Sequence, residues 1–182
     1  MKRVVVLLAD GFEEVEAVTS IDLLRRAGCD VTVAGVTGER VTGAHDMVVA
    51  ADLPLSSCTG RFDAVLVPGG MPGASNIARS KDAVTLIRMI AESGGVVAAI
   101  CAAPAVVLAP NGLLDGKEAT CYPGYEKEFG NVRFSEDRVV VDGNTITSRG
   151  PGTAAEFAIK LIEVLLGPAV AEDIRSQTLQ KA

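Results

Sequence analysis

Three runs of this chain are apolar at every position: Val4 to Ala9, Ala64 to Val67 and Gly95 to Ile100. A strand with one wet face alternates apolar and polar residues, because successive side chains point to opposite sides. These runs do not alternate, so both faces of each strand must be covered. That pattern predicts a parallel sheet enclosed between helices. Segments with helical spacing lie between the runs. Ala17, Ile21 and Leu24 mark a helix over Glu13 to Ala27, and Ala83, Ile87 and Ile90 mark another over Asp82 to Glu92.

The rest of the chain fills in the same alternation. Val31 to Ala34 reads as a second strand, and Thr37 to Ala50 as a short hairpin or edge strands. Met71 to Ala78 and Ala103 to Leu108 read as short helices, and Lys117 to Cys121 as a strand. Val139 to Val141 and Thr145 to Thr147 flank Asp142-Gly143-Asn144, a hairpin turn. Ala154, Ala158, Leu161, Ile162 and Leu165 form the apolar stripe of a helix, with Glu156 and Lys160 as an i,i+4 pair on its wet side. Ala169 to Gln177 reads as the last helix. The predicted fold is a doubly wound α/β sheet, mostly parallel, with helices on both faces. Residues 1–182 are expected to form one domain, without repeats or a linker.

Composition excludes several partners. The net charge is -6 and no basic cluster offsets it, so nucleic-acid binding is not indicated. The four cysteines show no C-x-x-C spacing and His45 is the single histidine, so no metal site is expected. Scattered cysteines suit a reducing compartment. Asp10, Glu13 and Glu14 interrupt the apolar start where a signal peptide would be cleaved, and no stretch is long enough to cross a bilayer. A soluble, cytoplasmic protein without a membrane partner is expected.

In an open parallel sheet, chemistry gathers beyond the carboxyl ends of the strands. Asp10 to Glu16, Pro68 to Gly73 and Cys101 to Pro104 all fall there. Cys101 stands where a strand gives way to a helix, the arrangement of a nucleophile elbow. The positive end of that helix would lower the thiol's pKa. The same pattern also fits a buried structural thiol, since free cysteine is among the most buried residue types. Asp10 with Glu13 resembles a capping box, and acids suit a helix start. Glu16 lies deeper, where that reward fades. It would serve as a hydrogen-bond donor to a thiolate or as a general acid and base. Pro68-Gly69-Gly70 reads as a tight turn with positive φ. It also reads as a bare N–H on Gly70 that, with the N–H of Ala102, would face an oxyanion. No phosphate-binding glycine motif is present. His45 sits in the predicted edge hairpin, away from the strand ends, as a surface or interface residue rather than a base. A standard cysteine protease or glutamine amidotransferase, which needs a histidine beside the thiol, is disfavoured.

Five motifs add a resemblance: Leu8 to Glu16 (LADGFEEVE), Asp22 to Gly28 (DLLRRAG), Val67 to Gly70 (VPGG), Ala98 to Pro104 (AAICAAP) and Thr147 to Thr153 (TSRGPGT). Through them the chain resembles, over nearly its whole length, the ThiJ/PfpI superfamily and within it the DJ-one branch. The resemblance implies a flavodoxin-like three-layer α/β sandwich, a homodimer and no cofactor. It implies cysteine-dependent chemistry on methylglyoxal and glyoxal, or on their early adducts with proteins and nucleotides. Cys101 matches the reactive cysteine, Glu16 its hydrogen-bonding partner, and Gly70 and Ala102 the backbone donors. Arg149 to Thr153, with Pro151, matches the loop bordering the pocket and the dimer contact. Arg26 matches an interface arginine, and His45 stands where human-type members carry another. Tyr122 replaces a histidine found in some relatives and will not accept a proton readily near neutral pH. Two other roles stand beside the glyoxalase or deglycase one. The first is a redox-sensing stress protein or holdase chaperone built on the same oxidisable thiol. The second is a PfpI-type peptidase, which lacks its histidine after the cysteine.

Overall fold

The computed structural model describes residues 1–181. At the centre runs β1 (Arg3–Leu8), followed by α1 (Glu14–Arg26) and then β2 (Asp30–Gly35), which pairs parallel to β1. A hairpin of β3 (Arg40–Thr42) and β4 (Val48–Ala50) forms its own two-stranded sheet, and β5 (Leu53–Pro54) extends the β2 edge. The chain then crosses to the other side of β1. There β6 (Ala64–Val67) pairs with it in parallel, followed by α2 (Gly73–Arg79), α3 (Lys81–Glu92) and β7 (Val96–Ile100). A parallel pair outside the main sheet joins β8 (Glu118–Ala119) to β9 (Arg133–Phe134). The hairpin of β10 (Val139–Asp142) and β11 (Thr145–Ser148) completes the sheet, with β11 parallel to β7 and β10 the antiparallel edge. The helices α4 (Ala154–Leu166) and α5 (Pro168–Gln177) close the chain.

The seven-stranded order β10-β11-β7-β6-β1-β2-β5 spreads outward from β1 in both directions. The reversal falls between β1 and β6, which opens a crevice at their carboxyl ends.

Non-alternating strands divide their side chains between two cores, as the sequence predicts. Val4, Val6 and Leu8 pack with Leu24 of α1 and with Phe157 and Leu161 of α4. Val5 and Leu7 pack with Ile77 of α2 and Ile87 of α3 on the other face. The helices start and stop for local reasons. Ser80 caps α3 by accepting from the Ala83 N–H at 3.2 Å. Gly28, at φ 82°, ends α1 by turning the chain so that the Cys29 N–H bonds the Leu24 carbonyl at 3.0 Å.

Two expectations are corrected. The strand expected over Lys117 to Cys121 is only Glu118–Ala119, because its partner β9 is itself two residues long. Lys160 pairs with Glu163 at 2.6 Å rather than with Glu156, whose carboxylate is taken by Arg138. No helix among the described residues is long and apolar enough to cross a membrane.

Phe157 is fully buried between α4 and the sheet. Phe157→Ala is expected to destabilise the fold by about 3–5 kcal/mol in urea unfolding, the usual cost of emptying an aromatic site. An unchanged midpoint would show that the α4 face is not packed as described.

Candidate active site

Backbone hydrogen bonds fasten the ends of β1, β6 and β7 to their neighbours. The Glu13 N–H donates to the Gly69 carbonyl at 3.0 Å, joining the start of α1 to the turn after β6. Gly70 takes φ 85°, and a side chain there would collide with Glu13 N. The glycine is therefore required both for its backbone angle and for its closeness to the first turn. Asp10 does not cap α1. Its Oδ1 accepts from the Thr42 N–H at 2.9 Å, and α1 begins without a side-chain cap. The expected capping box is replaced by a strap to the β3–β4 hairpin.

Cys101 closes the third strand end. It holds φ 65°, one of three non-glycine residues with positive φ among those described. That conformation costs roughly 1–2 kcal/mol for an L residue. Two backbone bonds enforce it: the Cys101 N–H donates to the Ser148 carbonyl at 2.9 Å, and its carbonyl accepts from the Tyr122 N–H at 2.9 Å. Strain held in this way is typical of functional positions.

Glu16 is fully buried. Its Oε2 accepts from the Gly69 N–H at 2.7 Å, while Oε1 has no nitrogen or oxygen partner. A Cβ on Gly69 would lie 2.9 Å from Glu16 Oε2 and 3.0 Å from Cys101 Sγ. The bare α-carbon of Gly69 therefore sits against both groups. Gly69 was visible in the sequence only as part of a turn. Its role depends on a contact across 53 positions, which no local pattern reveals.

The electrostatics of this pair correct the expected low thiol pKa. Burial pushes Cys101 up to about 12, and the Glu16 charge and hydrogen bond push the same way. The N–H groups of Gly70 and Ala102 pull it back. Burial also lifts Glu16 to about 7, against the hydrogen bonds from Gly69 and the thiol. The helix invoked to stabilise thiolate is a π-helical turn, Pro104–Leu108, running on into a 3-10 turn, Ala109–Asn111, and burial of the sulfur outweighs what it offers. With Glu16 charged, the sulfur keeps its proton. Once Glu16 takes a proton, the opposing charge disappears and two N–H groups face the sulfur.

The remaining predicted residues divide. Tyr122 is exposed, packs edge-on to Tyr125 and leans on Gly150. Together with Pro151 it lines an open pocket beside the cysteine turn. Arg26 is exposed and bonded to Asp22 at 2.6 Å. It lies at the far end of α1 from Glu16, about 15 Å away by helical rise, so it is not part of this chain's site. His45 belongs to the hairpin loop but is not remote from the strand ends. Its Nδ1 lies 2.9 Å from Glu14 Oε2 and 3.7 Å from Glu13 Oε2, and its N–H donates to Glu14 Oε1 at 2.7 Å. The hydrogen bond to Glu14, aided by both carboxylate charges, raises the histidine's pKa. Burial raises Glu14, but its bonds from His45 and the backbone outweigh that and lower it. The lone histidine therefore has two carboxylate partners, and their ligating atoms lie within 4.8 Å of one another.

The description "DJ-1/PfpI family" belongs to the family model that matches residues 2–164. The Drosophila melanogaster protein dj-1beta is 43% identical over 95% of this chain and 94% of its own length. Protein DJ-1 homolog B of Arabidopsis thaliana is also 43% identical over 95% of this chain, which spans only 40% of that longer relative. The glutathione-independent glyoxalase DJR-1.2 of Caenorhabditis elegans is 36% identical over 90% of this chain and 88% of its own. Among solved structures, oxidized Toxoplasma gondii DJ-1 superposes with a TM-score of 0.98 at 41% identity, covering both chains fully. The flavodoxin-like α/β architecture is thus shared.

Two outcomes follow from the pair's geometry. Glu16 is raised from 4.5 to about 7, so the folded state holds its proton more tightly than the unfolded chain. Stability is therefore lost as pH rises from about 4.5 through about 7. Glu16→Gln should exceed the wild type in stability at pH 8 by on the order of 3 kcal/mol, and the gain should vanish near pH 4. Parallel urea midpoints across that range would contradict the burial. Gly69→Ala should leave the circular dichroism intact yet slow alkylation of Cys101 at least tenfold. Unchanged alkylation would mean that the bare α-carbon of Gly69 is not what makes room for the two groups.

Proposed function

This chain belongs to the DJ-1/PfpI family, and on that premise we propose that it is a cofactor-independent enzyme acting on 2-oxoaldehydes such as methylglyoxal and glyoxal. The observation that carries this reading is Cys101, strained at φ 65°, sharing Gly69 with a fully buried Glu16. The relative named as a glutathione-independent glyoxalase supports it.

The chemistry balances within the pair. Glu16 takes the thiol proton as sulfur attacks the aldehyde carbon and a C–S bond forms. The N–H groups of Gly70 and Ala102 hold the oxygen as it gains charge, and Glu16 returns the proton to give a hemithioacetal. Glu16 then removes the hydrogen from that same carbon, forming an enediol. Reprotonation at the neighbouring carbon leaves a thioester of a 2-hydroxy acid. Water cleaves the thioester, restoring the thiol and releasing a hydroxycarboxylate. No external oxidant is needed, because one carbon is oxidised as its neighbour is reduced. Early adducts on proteins and nucleotides carry a carbon of similar reactivity, so deglycation uses the same first step.

One observation favours a second use of the thiol. Cys101 is partly accessible, and the Toxoplasma gondii DJ-1 structure described above is an oxidized form. Peroxide would convert the thiol to sulfinate by adding two oxygens, with Glu16 hydrogen-bonding the product. A peptidase reading lacks support, since His45 is engaged by Glu14 and Tyr122 lies beside the cysteine turn.

A homodimer is part of the proposal. Val15 and Val18 on α1 and Met47 and Val48 on the hairpin are exposed, and the Glu14–His45 contact brings these two elements together. An apolar face of this kind fits a second copy of the chain.

Cys101→Ser should abolish methylglyoxal turnover, with a loss beyond a thousandfold. Comparing free methylglyoxal with a preformed adduct in both proteins separates glyoxalase from deglycase action. Wild-type rates in the variant would reject Cys101 as nucleophile. Val18→Glu should convert a dimer to monomer in sedimentation, and a dimer surviving that change would place the interface elsewhere.

A further inference from the structure

One cation beside the cysteine turn has no hydrogen-bond or ion-pair partner among the described residues. Tyr122, Arg138, Arg149, Gly150 and Pro151 line an open pocket of about 250 Å³. Its two arginines differ. Arg138 is engaged: Nε and Nη2 donate to the Glu156 carboxylate at 2.8–3.0 Å, and Nη2 also donates to the Gly152 carbonyl at 2.8 Å. The Arg149 guanidinium makes no hydrogen bond or ion pair among the described residues. Its carbon lies 5.7 Å from the centre of the Phe134 ring. The carboxylate that feels its charge, Glu126, accepts instead from the Gly124 N–H at 2.6 Å.

This pocket adjoins the thiol's own backbone. Tyr122 donates its N–H to the Cys101 carbonyl, and Arg149 follows Ser148, whose carbonyl accepts from the Cys101 N–H. Arg149 is half-buried, and a guanidinium resting on an aromatic ring keeps the donors at its edge available. Those donors match the two oxygens of a carboxylate or phosphate. The chain carries a net charge of -6, so a cation beside the cysteine turn runs against the overall field. It would draw anions toward the site.

We propose that Arg149 forms an anion subsite beside Cys101, receiving the carboxylate or phosphate of a substrate or of the 2-hydroxycarboxylate product. The catalytic consequence rests on the 2-oxoaldehyde reading; the subsite itself does not. It gives preference to aldehydes and adducts that carry an acidic group, over adducts formed on lysine or arginine side chains.

The test has a binding arm and a kinetic arm. Lactate and inorganic phosphate are titrated separately into the full-length wild type, Arg149→Gln and Arg149→Lys at low salt, by calorimetry. The subsite predicts at least tenfold weaker binding in Arg149→Gln for whichever anion binds, with partial recovery in Arg149→Lys. Wild-type affinity in Arg149→Gln, or no binding of either anion to the wild type, overturns it. Should Arg149→Gln fail to fold, Arg149→Lys alone decides, since a fork-dependent carboxylate site still loses affinity. In the kinetic arm, kcat/KM is compared for methylglyoxal and for a 2-oxoaldehyde bearing a terminal carboxylate. The ratio favouring the acidic substrate should fall at least tenfold in Arg149→Gln, and an equal loss on both substrates overturns the preference. Arg149-dependent lactate binding without any aldehyde turnover would sink the enzymatic reading and keep the subsite. Cys101-dependent turnover with no Arg149 effect would do the reverse.

Discussion

The hydrogen bond from the Gly69 N–H to Glu16 Oε2 is the contact on which the site depends. A carboxyl group enclosed by the core is costly unless it is neutral or bonded. This one is served by a single backbone donor, and its other oxygen has no nitrogen or oxygen partner. The arrangement leaves Glu16 poised between charged and neutral forms close to physiological pH. An acid in that state can both give and take a proton, as a hydride-free isomerisation of an oxoaldehyde requires. The fold supplies the geometry by bringing the ends of β1, β6 and β7 to one crevice at the reversal of strand order.

Around that contact, glycine acts mainly by what it omits. Gly69 leaves room for the carboxyl and the sulfur, and Gly70 lets the turn press against α1. Gly43 has the same role at the hairpin, where any side chain would strike the Glu14 carboxylate. The Glu14–His45 bonds then fasten the hairpin to the first turn of α1. The Cys101–Glu16 pair, the glycine turn and the hairpin form one continuous lattice.

Much of this was legible in the sequence. The unbroken apolar runs of β1, β6 and β7 specify a covered parallel sheet, because a strand that never alternates has no wet face. Ends of those strands locate Glu16, the glycine turn and Cys101 without any coordinates. Short elements were hidden for physical reasons. β5 is two residues long and contains Pro54, which suits only an edge. β9 is equally short and carries no periodicity.

The proton balance was not legible. Helix polarity argued for a lowered thiol pKa, but the deciding quantity is desolvation, a property of the folded interior. The Glu14–His45 contact spans 31 positions and depends on the hairpin folding back. The Arg149 pocket likewise needs the third dimension, since Tyr122 lines it and Phe134 meets Arg149 from separate segments. Burial of Glu16 beside Cys101 is the claim underlying all of this, and a carbon-13 NMR titration of the glutamate carboxyls tests it most directly. A midpoint near 7 for Glu16, moving upward in Cys101→Ala as the thiol donor is lost, is the predicted result. An ordinary carboxylate midpoint in both proteins would contradict it.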